Sequence, residues 1–180
     1  MDFIDLVKKR KSTRKYNSKK IEKKLLDKCL EAARLAPSAC NSQPWRFIII
    51  ETGSVKDRII REAFNGVYAL NTFAKKAPVI VVVVREKSKY TARLGGSLRD
   101  VDYSLIDIGI ACDHLTLQAE ELGIGSCWIG WFNEKAIKNI LELPKNAKVD
   151  IVLSLGYPEE DYIKAKKRKS LDDTREYFDK

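Results

Sequence analysis

The order of helical and extended patterns predicts an α+β fold, a sheet held between helical layers. Three observations carry this. Apolar residues recur at helical spacing over 21–36 and again, more densely, over 101–122. Between them, Ala77-Pro78-Val79-Ile80-Val81-Val82-Val83-Val84 is an apolar run far too short to cross a bilayer and suited to a strand covered on both faces. No linker, repeat or low-complexity segment interrupts the chain, so residues 1–180 read as one domain.

Taken in order, Phe3, Ile4, Leu6 and Val7 form a short apolar helix. Ile21, Leu25, Cys29, Ala32, Ala33 and Ala36, with Lys and Glu between them, give an amphipathic helix that stops at Pro37. A strand follows over Arg46 to Glu51, a helix over Val55 to Phe64, and the central strand over Pro78 to Arg85. In the long helix Val101 to Leu122, apolar residues such as Ile106, Ile108, Ile110, Leu115 and Leu117 populate more than one face. Such a helix must be covered nearly all round, which predicts packing on the sheet on one side and on another subunit on the other. Gly123 ends it through the left-handed conformation. Ile124 to Phe132 leads through a glycine-rich segment into a short helix, Asn133 to Leu141, and Val149 to Tyr157 is the last strand before a polar tail.

With 180 residues, 44% of them apolar, the chain can bury a core without disulfides or metal. Cys29, Cys40, Cys112 and Cys127 have no paired CxxC spacing, and His114 is the single histidine, so no zinc or iron–sulfur site is expected. Cys29 and Cys112 fall on helix faces expected to be buried. The opening Met1-Asp2-Phe3-Ile4-Asp5 has no basic region before an apolar stretch, so no signal peptide, a cytoplasmic location and no membrane association are expected. The net charge of +9 is compatible with nucleic acid, a membrane surface or anionic small molecules. Its basic residues concentrate at Lys8 to Lys20 and Lys164 to Lys169, runs that in most proteins are solvated surface.

Three segments can carry chemistry. In Arg10-Lys11-Ser12-Thr13-Arg14, two guanidinium groups four residues apart with hydroxyls between suit a phosphate, through charge-assisted bonds from arginine and a short neutral one from serine. Residues 36 to 47 hold a loop between Pro37 and Pro44 whose small and amide residues can present hydroxyls, an amide and backbone N–H groups to a ligand. An ordinary helix-to-strand turn would read the same way. Gly123 to Phe132 has Gly-x-Gly spacing too lax for a dinucleotide fingerprint, and a strand packing Trp128 and Trp131 in the core explains it equally well. No nucleophile–base pair is evident, since His114 sits amid apolar residues on the long helix.

Pro37-Ser38-x-x-Asn41-x-Gln43-Pro44-Trp45-x-Phe47 resembles the signature loop of the FMN-dependent nitroreductase family. Arg10, Ser12 and Arg14 match that family's Arg-x-Ser-x-Arg/Lys element. Lys166-Lys167-Arg168-Lys169-Ser170-Leu171 is similar to its closing Lys/Arg-x-Arg-x-Pro-Leu element, with Ser170 in place of the proline. The resemblance implies a nitroreductase-like fold, a mostly antiparallel sheet flanked by helices, working as a homodimer with two FMN at the subunit interface. It implies that Arg10, Lys11 and Ser12 serve the phosphate and ribityl end with Lys166 and Arg168, and that Arg14 reaches the pyrimidine edge of the flavin. Pro37, Ser38, Ala39, Asn41 and Gln43 would contact the cofactor. The Gly130 N–H would face the flavin N5, with Trp128, Ile129 and Trp131 beside it, which makes Gly130 and Arg14 the expected catalytic positions. NADH or NADPH would supply hydride and a small molecule, a quinone or nitroaromatic, would receive it. The tail 158–180 would contribute to cofactor site and dimer, and segments 65–72 and 86–100 would shape the substrate side. Two other readings compete. One is a basic nucleic-acid-binding module, which lacks a recognition motif here. The other is a flavin carrier without turnover.

Overall fold

A strand buried on both faces organises the structure, a computed structural model that describes residues 2–51, 53–87, 96–98, 100–160 and 166–178. The helices are α1 (Phe3–Lys9), α2 (Lys23–Arg34), α3 (Ser54–Ala63), α4 (Tyr103–Glu121) and α5 (Glu134–Ile140). The strands are β1 (Trp45–Ile50), β2 (Val79–Arg85), β3 (Gly125–Ile129) and β4 (Lys148–Gly156). They form one sheet in the order β1-β2-β4-β3, antiparallel at every pairing, as the resemblance implied. The expected elements fall within one or two residues of these bounds. Lys164 and most of the loop between Glu86 and Asp100 lie outside the described residues.

The period of two along β2 divides the core. Ile80, Val82 and Val84 face a cluster with Ile59, Ala63 and Phe64 on and after α3 and with Ile137 and Ile140 on α5. Val79, Val81 and Val83 face the other way, onto Leu26, Cys29 and Ala33 of α2 and onto Ile108, Ala111, Cys112 and Leu115 of α4. Each valine, leucine, isoleucine or phenylalanine among them contributes about 1.5–3 kcal/mol when withdrawn from water. A charge at Val82, which is 0% exposed, would therefore disrupt the layer formed with α3 and α5.

Helix α4 is tied at both ends. Its N-cap Asp102 accepts from Ser104 N at 3.1 Å and from Arg85 Nη1 at 2.5 Å, while Arg85 also holds Asp150 of β4 through two nitrogens. At its C-terminus Gly123 has φ +74°, and Ile124 N bonds Ala119 O at 2.8 Å while Gly123 N bonds Glu120 O at 3.0 Å. That pair of bonds is the Schellman arrangement, which requires the left-handed residue glycine supplies. The helix buries a stripe running from Ser104 through Asp107, Ile108, Ala111, Cys112 and Leu115 to Ala119, and leaves Leu105 and Ile106 about half exposed at 48% and 51%.

The longest of the elements without a sequence counterpart among the described residues follows α3. Gly66–Lys76 is a 3-10 run, whose period near three has neither the helical nor the strand signature.

Candidate functional site

The chain after α1 leaves its helix at Arg10 and lies along the open edge of β3. Ser12 bridges Ser126 in parallel, and Thr13 N donates to Ser126 O at 2.8 Å. Gly125 lies directly under Thr13. A Cβ there would come within 2.5 Å of Thr13 Oγ1, so glycine is what lets the two backbones meet. Tyr16 then locks the turn, its buried hydroxyl bonding Thr13 O at 2.5 Å and Ser154 Oγ at 2.8 Å. Burial pushes the Tyr16 phenol well above its ordinary range, against the lowering effect of the Ser154 bond. A cleft of about 260 Å³ opens beside this strand, with Ser12, Arg14, Lys15 and Pro158 in its wall.

The two basic ends of the chain meet here. Lys166 Nζ donates to Val7 O at 2.6 Å. Desolvation lowers the Lys166 pKa, and the positive charges of Arg10 and Arg168 push it down further, against the pull of Glu120. Cys127, on β3, registers the same neighbourhood. Burial raises its thiol pKa, while Arg14, a hydrogen bond from Ser12, and Arg10 oppose the rise. Arg10, Ser12, Arg14, Lys166 and Arg168, expected together from the sequence, are thus gathered around one edge of the sheet.

Arg14 reaches a second neighbour, its guanidinium lying 5.7 Å from the Phe73 ring centroid. Phe73 belongs to the 3-10 run, which is clasped to the residue after Gly130: Trp131 Nε1 donates to Val67 O at 3.0 Å and Asn71 Nδ2 donates to Trp131 O at 2.7 Å. The Tyr68 and Trp131 rings lie 5.3 Å apart. Gly130 itself is exposed, and a Cβ built on it would meet only Ile151 Cδ1 at 3.8 Å. Its flanking residues differ from each other. The Ile129 side chain is buried in the core, so that position can offer a ligand only backbone, while Trp128 is partly buried against the opposite sheet face. Trp131 is 60% exposed, which excludes the reading in which both tryptophans fill the core. Tyr68, Asn71 and Phe73 were not singled out from the sequence, because a 3-10 run carries no periodic signal.

The Pro37–Pro44 loop is built differently from the expectation of an array of backbone donors. Its amides are largely consumed within the turn: Asn41 N bonds Ser38 O, Ser42 N bonds Ala39 O, and Gln43 N bonds Ser38 Oγ at 3.0 Å. Ala39 N donates to the Asp107 carboxylate of α4 at 3.0 Å. Gln43 Nε2 donates to Asn41 Oδ1 at 2.7 Å. Cys40, Asn41 and Gln43 all have positive φ, near +50°, a conformation that non-glycine residues adopt at a cost. Pro37 is exposed and Pro44 buried. This turn feeds β1, whereas Arg10–Arg14 lie against β3, the opposite edge strand. Three inter-strand spacings, roughly 14 Å, separate those edges. Of the sequence-predicted residues, those near both termini and those around Gly130 come together, and the 37–43 turn stands apart from them.

The sequence profile of the Nitroreductase family matches residues 7–70 and 65–157. This chain belongs to the nitroreductase family. An Archaeoglobus fulgidus relative named for NADH dehydrogenase and NAD(P)H nitroreductase is 33% identical over 175 residues, covering 93% of this chain and 92% of its own. The iodotyrosine deiodinase of Thermotoga neapolitana is 28% identical over 178 residues, covering 88% and 89%. Among solved structures, an FMN-dependent nitroreductase from Clostridium difficile R20291 superposes with a TM-score of 0.74 at 31% identity, over 98% of both chains. The family is one of oxidoreductases, and the fold seen here is a nitroreductase-like fold. Among the described residues no cluster of His, Cys, Asp or Glu could hold a metal ion, and no helix is long and apolar enough to cross a membrane.

Proposed function

We propose that this chain is an FMN-dependent oxidoreductase of the cytoplasm that takes hydride from NADH or NADPH and delivers it to a small acceptor, a quinone or nitroaromatic, in a ping-pong cycle. The observation that carries this reading is the meeting of the two basic ends of the chain, where Lys166 Nζ bonds Val7 O at 2.6 Å and the charges of Arg10 and Arg168 add to the desolvation that lowers its pKa. A protein that crowds cations drawn from both ends of its chain gains most from a compact polyanion, and the dianionic FMN phosphate has that chemistry. The donor set fits: guanidinium forks from Arg10 and Arg168, the Lys166 ammonium, and the Ser12 hydroxyl. Bound FMN would supply the hydride-accepting and hydride-donating chemistry between the two substrates.

The remaining work falls to the chain. Arg14 would set a positive charge at the pyrimidine edge of the ring. Gly130, unshielded by any side chain of its own, leaves its backbone open to close approach and would aim its N–H at N5. Tyr68 and Trp131, a half-buried and an exposed ring paired beside Gly130, would wall a flat acceptor. The turn carrying Pro37, Ser38, Ala39, Asn41 and Gln43 lies at the far edge of the sheet, so in a homodimer it would come from the second copy. Leu105 and Ile106, left half exposed on α4, would be part of what the second copy covers.

Reconstitution with FMN, followed by an absorbance spectrum and stopped-flow mixing with NADH and NADPH, tests this. The expected result is about one flavin per chain, bleached by either nicotinamide, as for a tightly held cofactor. No bound flavin with salt-sensitive retention on DNA would favour the nucleic-acid reading. Bound flavin that neither nucleotide bleaches would favour a carrier.

A further inference from the structure

Asp107 is a buried carboxylate, 4% exposed, in the second turn of an apolar helix. One of its oxygens, Oδ1, accepts the Ala39 N–H at 3.0 Å, and the other, Oδ2, is buried without a hydrogen-bond partner in the described structure. A carboxylate half unsatisfied in the interior is costly, and an apolar residue would pack the α2–α4 layer better. Stability alone therefore gives no reason for an acid here.

The bond it makes supplies one. Ala39 opens a turn in which Cys40, Asn41 and Gln43 hold φ of 53°, 52° and 48°. Such a backbone persists only where its surroundings over-determine it. The other bonds within the turn, between Ser38, Ala39, Ser42, Asn41 and Gln43, are local and move with it. The Asp107 bond is different in kind, because it joins the turn to a nineteen-residue helix capped at both ends and packed on the sheet. It is a contact that bears on where the turn sits relative to α4, as distinct from what shape it has.

We infer that Asp107 is a positioning residue: it pins the Ala39 amide to α4 and so holds the Ser38–Gln43 turn in the conformation that meets the cofactor. This rests on the flavin reading of that turn. The role needs an acceptor at Oδ1 rather than a negative charge, so an amide should serve and an apolar isostere should not.

The test compares Asp107→Asn and Asp107→Leu with the parental chain by three measurements. These are hydrogen exchange at the Ala39 amide without flavin, FMN affinity by fluorescence quenching, and melting temperature without flavin. Asp107→Leu should lose protection at Ala39 and raise the FMN Kd on the order of tenfold or more, the scale of one hydrogen bond to a charged group. It should melt no lower than the parent, since it removes a buried unsatisfied carboxylate. Asp107→Asn should stay within about threefold of the parent in Kd, a few tenths of the energy of a hydrogen bond. The inference is overturned if Asp107→Leu keeps parental FMN affinity, or if Asp107→Asn fails as badly as Asp107→Leu. A parental chain that takes up no FMN overturns the flavin reading instead, and the exchange rates at Ala39, read without flavin, separate that result from failure of the pinning itself.

Discussion

Lys166 Nζ donates to the carbonyl oxygen of Val7 at 2.6 Å, joining residues 159 positions apart in the chain. The bond caps the last turn of α1 with a cation, where the exposed carbonyls of a helix end favour one. Desolvation lowers the Lys166 pKa, and the charges of Arg10 and Arg168 crowd it down further.

Removing either guanidinium should relieve that crowding in the free protein and weaken the anion site. Arg10→Ala and Arg168→Ala are each expected to cost about 1.5–3 kcal/mol of FMN affinity, the scale of a hydrogen bond to a charged group. Lys23→Ala and Lys135→Ala, exposed positions on α2 and α5, should leave it unchanged. Equal losses in all four, measured by fluorescence titration, would indicate diffuse electrostatics.

Gly130→Ala should be tolerated, because its new methyl group meets only Ile151 Cδ1 at 3.8 Å and the backbone there is not left-handed. Hydride transfer from NADPH should stay near the parental rate. Gly130→Pro deletes the N–H and should slow transfer by about 10²-fold or more, as for one lost oxyanion-type donor. The pair is read by stopped flow after flavin content and circular dichroism have established folding. A proline variant at the parental rate excludes this N–H as the N5 donor.

Tyr16→Phe should destabilise the fold by about 1–3 kcal/mol, since it strands the buried Ser154 hydroxyl and the Thr13 carbonyl. Urea unfolding measures this directly. Because the lost bonds hold the Arg10–Arg14 strand, FMN affinity should fall alongside stability.

Stability should also decline in alkali. Burial pushes the Cys29 thiol up to about 11 and the Cys112 thiol up to about 12, with Asp150 and Asp113 adding to the second. Unfolded thiols titrate at about 8.5. Their contribution is therefore whole below that value and is lost as pH rises through the window up to the folded pKa values. Each group costs at most about 1.4 kcal/mol per pH unit. Melting curves collected over roughly pH 8 to 10 should slope downward, and the double variant Cys29→Ala, Cys112→Ala should flatten the slope. An unchanged slope would assign the alkaline loss to other groups.

Leu105→Asp with Ile106→Asp should yield a folded monomer that binds FMN poorly if α4 lies at a subunit interface. Sedimentation velocity with absorbance detection reads both properties together. A parental chain that is monomeric and retains FMN would remove the dimer from the proposal.

Among the described residues the four sheet strands and helices α1 to α5 were legible in the chain, most of them because burying a face imposes a period. Val79 to Val84 announced a two-sided strand by lacking any polar alternation, and Gly123 announced the end of α4. The phosphate-type residues at 10–14 and 166–168 were legible as chemistry, since charge and hydroxyl content do not depend on the fold. That the two runs share one place was legible only through the family resemblance: composition and spacing carry no sign of it, because it depends on Val7 meeting Lys166, a contact between distant segments with no local signature. Residues 65–72 were expected on the substrate side, but the 3-10 form of Gly66–Lys76 and the contacts of its residues were not legible, since its short period leaves no pattern; nor was the role of Asp107, which reads along the chain as one acid in an apolar helix. Local periodicity and composition are properties of neighbouring residues, so the sequence determines elements, core faces and the chemistry on offer. Which of those chemistries meet, and that the 37–43 turn stands at the edge of the sheet opposite Arg10–Arg14, is decided by strand order and packing, which couple residues far apart in the chain.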